Sequence, residues 1–107
     1  MKVKLNGLDR LIIPEILPQQ GGRLEMMVRE EIVDIIKINS SEFEGFGLYD
    51  LGNGQVQFDQ DKILEEKEFD LKKPQTDFLK ESVRKLDEKK MWTPRNTKTC
   101  LKIEKMR

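Results

Sequence analysis

The sequence predicts an α+β fold: a small antiparallel β-meander packed on three to four helices, within a single domain spanning 1–107. Three observations point there. The first is Arg23 to Ile38, RLEMMVREEIVDIIKI, the most apolar helix-length segment of the chain. Its Leu24, Met27, Val28, Ile32, Ile35 and Ile36 recur at spacings of three and four, which places them on one helix face. Met26, Val33 and Ile38 lie off that face, so this helix is expected to organise the core and to be covered on more than one side, by the rest of the fold or by a second chain. The second is LYDLGNGQVQFD, in which Asn53-Gly54 is the favoured pair for a two-residue hairpin turn with positive φ at both positions. The third is the run after Pro74, where Phe78, Leu79, Val83 and Leu86 line one side of a helix reaching about Lys90.

In chain order, Lys2 to Leu5 alternates polar and apolar residues, as a short first strand does. Asn6 suits the cap of a first helix, with Asp9 near its positive end and Leu8, Leu11, Ile12 and Ile16 as its apolar face. Pro14 removes a backbone donor and crowds the preceding turn, so that helix is expected to kink or restart near Ile13. Pro18 and Gly21-Gly22 then end it, across a gap too long for a DNA-binding helix-turn-helix. Asn39-Ser40-Ser41 stops the second helix, and Ser41 with Glu44 has capping-box spacing for a short turn over Glu42 to Phe46. A two-residue turn at Asn53-Gly54 pairs Leu51 with Val56 and Tyr49 with Phe58 on one face, and Asp50 with Gln57 on the other. A third strand is expected over Lys67 to Leu71, because a lone hairpin is marginal in water. Pro74 belongs in the first turn of the next helix, or Thr76 caps it. Thr93-Pro94 reads as the cap and first position of a last helix. Its sparse apolar residues (Cys100, Leu101, Ile103, Met106) make 93–107 a loosely docked, basic C-terminal helix.

The 20 Lys and Arg balance the 20 Asp and Glu, but not locally. Ser41 to Leu71 holds nine acidic residues against two lysines, whereas Lys89 to Arg107 holds seven basic residues against one glutamate. Acidic middle and basic end read first as solvated surfaces, and second as a patch for an acidic partner. If 94–106 is helical, Arg95, Lys98, Lys102 and Lys105 share one side, with Trp92 adjacent to stack on a base. These five residues are the candidate surface for nucleic acid or an acidic protein.

The ordering of elements, with RLIIPEILPQQGG leading into the apolar helix and KLDEKKMWT leading into the last one, resembles a group of short proteins encoded in bacteriophages and prophages. The motifs that carry the resemblance are Ile16-Leu17-Pro18 to Gly21 and Leu86-Asp87-Glu88 to Thr93, and it covers most of the chain. The final TPRNTKTCLKIEKMR departs from the group in being more basic and less apolar. The resemblance implies an α+β fold and a phage setting, and supplies no catalytic residues.

Chemistry is bounded chiefly by what is missing. The chain has no histidine, which removes imidazole-based nucleophile activation and zinc ligation. One cysteine makes neither an intramolecular disulfide nor a thiolate cluster, and Cys100 reads as structural. Asp59-Gln60-Asp61 matches the opening of a calcium loop, but Leu64 and Asp70 stand where that loop needs Gly and Glu. Gly45, Gly47, Gly52 and Gly54 lack the lysine and helix of a phosphate cradle and fit turns instead. The expectation is therefore no enzyme, no cofactor, no metal and no small-molecule substrate. Without a long apolar run or a secretory signal in MKVKLNGLDR, no membrane and a cytoplasmic location in the bacterial host are expected. The function expected is that of a non-enzymatic phage or prophage accessory or adaptor protein, acting by contact with a protein partner or as a homo-oligomer. The alternative is nucleic-acid binding through the basic C-terminal helix.

Overall fold

The computed structural model describes residues 2–50, 52 and 56–106, without the side chains of Tyr49, Asp50 and Val56. Its elements run β1 (Lys2–Leu5), α1 (Gly7–Ile16), α2 (Arg23–Ile36), α3 (Ser40–Gly45), β2 (Tyr49–Asp50) and β3 (Val56–Gln57). A single 3-10 turn at Lys62–Leu64 follows, then β4 (Lys67–Asp70), α4 (Lys73–Glu88) and α5 (Thr97–Glu104). The α+β class holds.

The strands form two separate two-stranded sheets, β1 with β4 and β2 with β3, rather than one meander. The expected third strand is present as β4, but its partner is the first strand, antiparallel, with Val3 opposite Phe69 and Leu5 opposite Lys67. Val3, Leu5 and Phe69 are buried, so the strand is recruited by the main core at the far end of the chain rather than by the hairpin. The hairpin register also differs by one residue: Tyr49 faces Gln57 and Asp50 faces Val56. Asn53-Gly54 itself lies outside the described residues. The register follows from an anchor beyond the turn, where Asp59 N–H bonds to Phe46 O at 2.8 Å and Phe58 packs on a cluster of Phe46, Leu48 and Ile63. That cluster fixes which residues reach back to α3.

The element at the centre is α1, not α2. Ile12, Ile13 and Ile16 of α1 are buried, and α1 packs against β1, the 3-10 turn, α4 and α5. It runs unbroken through Pro14. The exit is set by Pro18, which holds Leu17 extended at ψ 148°. At the other end Asn6 and Asp9 cap reciprocally: Asp9 N–H donates to Asn6 Oδ1 at 2.8 Å, and Asn6 N–H to Asp9 Oδ2 at 3.0 Å. Gly7 is needed where α1 meets the 3-10 turn, since a Cβ there would lie 2.7 Å from Ile63 Cδ1 and 3.0 Å from its carbonyl oxygen.

By contrast α2 buries only Ile32 and Ile36 completely, with Val28 and Val33 packed at the core margin. Leu24 and Met27 are 76% and 52% exposed, and Ile35 is also exposed. The reason is that α2 lies at the edge and leans mainly on α4, so its apolar arc is wider than the surface offered to it.

The later helices begin and end by recognisable local chemistry. The cap of α3 is Asn39 with Glu42, two residues ahead of the Ser41–Glu44 pair read from sequence. Pro74 stands in the first turn of α4, and Gln75 Oε1 accepts from Lys72 N–H at 2.9 Å; Thr76 is buried and does not cap. Thr93 and Asn96 bond each other's backbone N–H, at 3.2 and 2.8 Å, closing a separate turn, so α5 begins at Thr97 and not at Pro94 as the sequence suggested. That last helix is seated firmly despite its sparse apolar pattern, with Cys100 and Ile103 fully buried.

Candidate functional site

Of the five residues singled out at the C-terminus, the structure brings only some into one surface. Trp92 is half-buried on the main core, and its indole N–H donates to Val83 O at 3.3 Å. Arg95 spans to Glu15 of α1 with a two-pronged contact of 3.1 and 3.2 Å. Lys102 bonds Asp9 at 2.5 Å and Glu66 at 3.1 Å. Partial burial works against its charge, yet the Asp9 and Glu66 carboxylates outweigh that and hold its pKa above the ordinary lysine value. Lys98 and Lys105 are exposed and make no ion pair among the described residues.

Lys102 is therefore a structural cation. Asp9, buried at the start of α1, also accepts from Thr99 Oγ1 at 2.7 Å, so one carboxylate receives both α5 side chains and the Asn6 N–H. A buried carboxylate needs such partners, and these tie α5 to α1.

Lys102 and Lys105 nevertheless line a shallow trough of about 620 Å³ with Lys2, Val3 and Lys4 of β1, Glu66 and Met106. The lysines of β1 join the C-terminal ones only through the fold. Their single sequence signal was strand alternation, which sends Lys2 and Lys4 to one face.

A second concavity is apolar. A cleft of about 410 Å³ runs along α4 opposite the α1–α2 corner, with Ile16, Pro18, Pro74, Phe78 and Leu86 among its lining. Its charged rim on α4 changes sign along the helix, from Asp77 and Glu81 to Lys85 and Lys89, with the small Ser82 between. Asp77 and Glu81 have exposed partners on the same helix, Lys73 at 3.0 Å and Arg84, of the kind that contributes little to stability. Lys85 and Lys89 make no ion pair among the described residues. The charge order was legible as a spacing of four, and sequence reasoning passed over it.

Buried charge elsewhere serves the fold. Arg10, 3% exposed, donates to Ile36 O and Lys37 O at 2.7 Å each, and to both oxygens of Glu42 at 2.5 and 2.8 Å. It thus caps the C-terminal carbonyls of α2 while its guanidinium lies 5.0 Å from the Phe69 ring centroid. The Arg10 hydrogen bonds pull the Glu42 pKa down to about 2 against the opposing effect of burial, helped by the Asn39 N–H. Burial, with the Glu104 charge, pushes the Cys100 thiol up to about 11, so it stays protonated at neutral pH. Among the described residues no three His, Cys, Asp or Glu side chains are grouped to hold a metal, and no helix is long and apolar enough to cross a membrane.

No protein-family model matches the sequence, and no curated protein or solved structure shows significant similarity to it.

Proposed function

We propose that this is a non-enzymatic contact protein, the accessory or adaptor role that its resemblance to short phage and prophage proteins suggests, and that the α4 cleft is its main docking surface. The observation that carries this reading is the cleft wall itself: an apolar strip of Phe78 and Leu86 flanked by charge running from acid at Asp77 and Glu81 to base at Lys85 and Lys89. Such a wall complements a helix that arrives antiparallel with the same charge order, so that acid meets base at both ends. A second copy of α4 has that order. An isologous pairing centred near Ser82, itself buried at the cleft floor, sets Phe78 of each copy against Leu86 of the other.

Light scattering tests the reading directly. The wild-type chain runs as a dimer at micromolar concentration, and Phe78→Glu runs as a monomer with an unchanged far-UV spectrum. A strictly monomeric wild type that also recovers no protein partner from bacterial lysate contradicts it.

The nucleic-acid alternative draws on Lys98 and Lys105, but Arg95 and Lys102 are engaged by carboxylates and the Trp92 indole is held to the Val83 carbonyl. A mobility shift at low salt that disappears in Lys98→Glu with Lys105→Glu would favour it over the contact reading.

A further inference from the structure

We propose that the outer edge of β1, with the lysine-lined trough beside it, receives an extended acidic peptide segment by strand addition. The proposal stands apart from the α4 cleft and survives or fails independently of it.

The sheet has only two strands, so β4 occupies one edge of β1. In an antiparallel pair alternate residues turn their N–H and C=O groups away from the partner. Among the described residues no backbone hydrogen bond outside the β1–β4 ladder involves Lys2, Val3 or Lys4. Beside these residues lies the trough of about 620 Å³, whose side chains are four lysines (Lys2, Lys4, Lys102, Lys105) to one glutamate, with Val3 and Met106 as its apolar part. The glutamate is Glu66, already bonded by Lys102. Lys4 and Lys105 make no ion pair among the described residues, and Lys2 has only a 3.5 Å contact with Glu68 in which both side chains are exposed.

Lysines on an open edge discourage pairing with neutral or basic strands, including copies of β1. The same charge favours an acidic strand. Lys2 and Lys4 lie on one face, roughly 7 Å apart along the strand, so an incoming segment with carboxylates at alternate positions presents one to each. The residues between them turn to the opposite face of the strand, the side on which Val3 is buried and Met106 lies half-buried. This fits a peptide better than a nucleic acid, because only a peptide supplies the N–H and C=O groups that complete a ladder.

The test uses the full chain and a short, end-capped peptide alternating glutamate and valine, followed by amide NMR shifts and hydrogen exchange at low salt. Binding is expected to slow exchange in Lys2–Leu5. It is expected to weaken about tenfold or more in Lys2→Glu with Lys4→Glu, and by a similar factor for a peptide N-methylated at alternate residues. The second arm leaves the protein untouched, so it does not depend on the variant folding. Absence of binding, or equal binding of the N-methylated peptide, overturns the proposal. So does tighter binding of single-stranded oligothymidylate with shifts at Lys98 and Lys105 and none in β1, which would make the surface a nucleic-acid site.

Discussion

Arg10 and Glu42, from α1 and α3, form a two-pronged ion pair at 2.5 and 2.8 Å, and the same guanidinium closes the end of α2 through the Ile36 and Lys37 carbonyls. One side chain thereby fixes three helices. Arg10→Met keeps much of the volume but strands two carbonyls and a carboxylate. We expect a loss of about 3 kcal/mol, read as a lower urea midpoint at unchanged m-value. Arg10→Lys is expected to rescue little, since one ammonium cannot reproduce the forked geometry. A loss below about 1 kcal/mol would reduce the pair to an ordinary surface contact.

The same pair sets an acid dependence. The folded pKa of Glu42 is about 2, below the ordinary value of 4.5, so the charged form is the one the fold stabilises. That contribution is complete above about pH 4.5 and drains away as pH falls towards 2. Thermal melts across this window should show a steeper fall in wild type than in Glu42→Gln, which is less stable at neutral pH.

Two helices end in the same way with different residues. After α3, Gly47 has φ +64°, and the Gly47 and Leu48 N–H groups bond back to Glu44 and Phe43. After α4, Lys90 takes that place at φ 57°, with Lys90 N–H bonded to Asp87 O and Met91 N–H to Leu86 O. A side chain in the left-handed region costs about 1 kcal/mol that glycine does not. Lys90→Gly should therefore raise stability by about 1 kcal/mol, and Gly47→Ala should lower it by a similar amount. Paired denaturation curves check both.

At Gly7 the sign of an alanine substitution is reversed from helix propensity. Alanine normally favours a helix, but here its methyl meets Ile63 Cδ1 at 2.7 Å. Gly7→Ala is expected to cost about 1–3 kcal/mol, and adding Ile63→Val, which removes that Cδ1, should recover part of it. A neutral Gly7→Ala would mean that the 3-10 turn yields freely.

Much of this fold was readable because its signals are local. Asn6 with Asp9, and Pro74, depend on neighbours within one turn, and both behave in the structure as the sequence implies, whereas Thr93 caps a turn that precedes α5 rather than α5 itself. What was not readable depends on distant residues. Nothing near Lys67 says that its strand will join Lys2–Leu5 rather than the hairpin. Nothing near Arg10 marks it for burial, because its partners lie at Ile36, Lys37 and Glu42. The apolar period of α2 overstated its burial for the same reason: period gives a face, and only the packing decides whether that face is covered. In the basic C-terminal group, spacing placed Lys98, Lys102 and Lys105 together but was blind to Asp9 and Glu66, which take up Lys102.

The most direct test of the contact reading is a charge-order exchange on α4, followed by sedimentation equilibrium. Asp77→Lys with Glu81→Lys makes the wall uniformly basic, and Lys85→Glu with Lys89→Glu makes it uniformly acidic. Each variant alone should be monomeric, an equimolar mixture should form a heterodimer, and the fourfold exchange should restore the homodimer. Wild-type self-association indifferent to these exchanges, or a mixture that stays monomeric beside a dimeric wild type, would contradict docking through the α4 cleft.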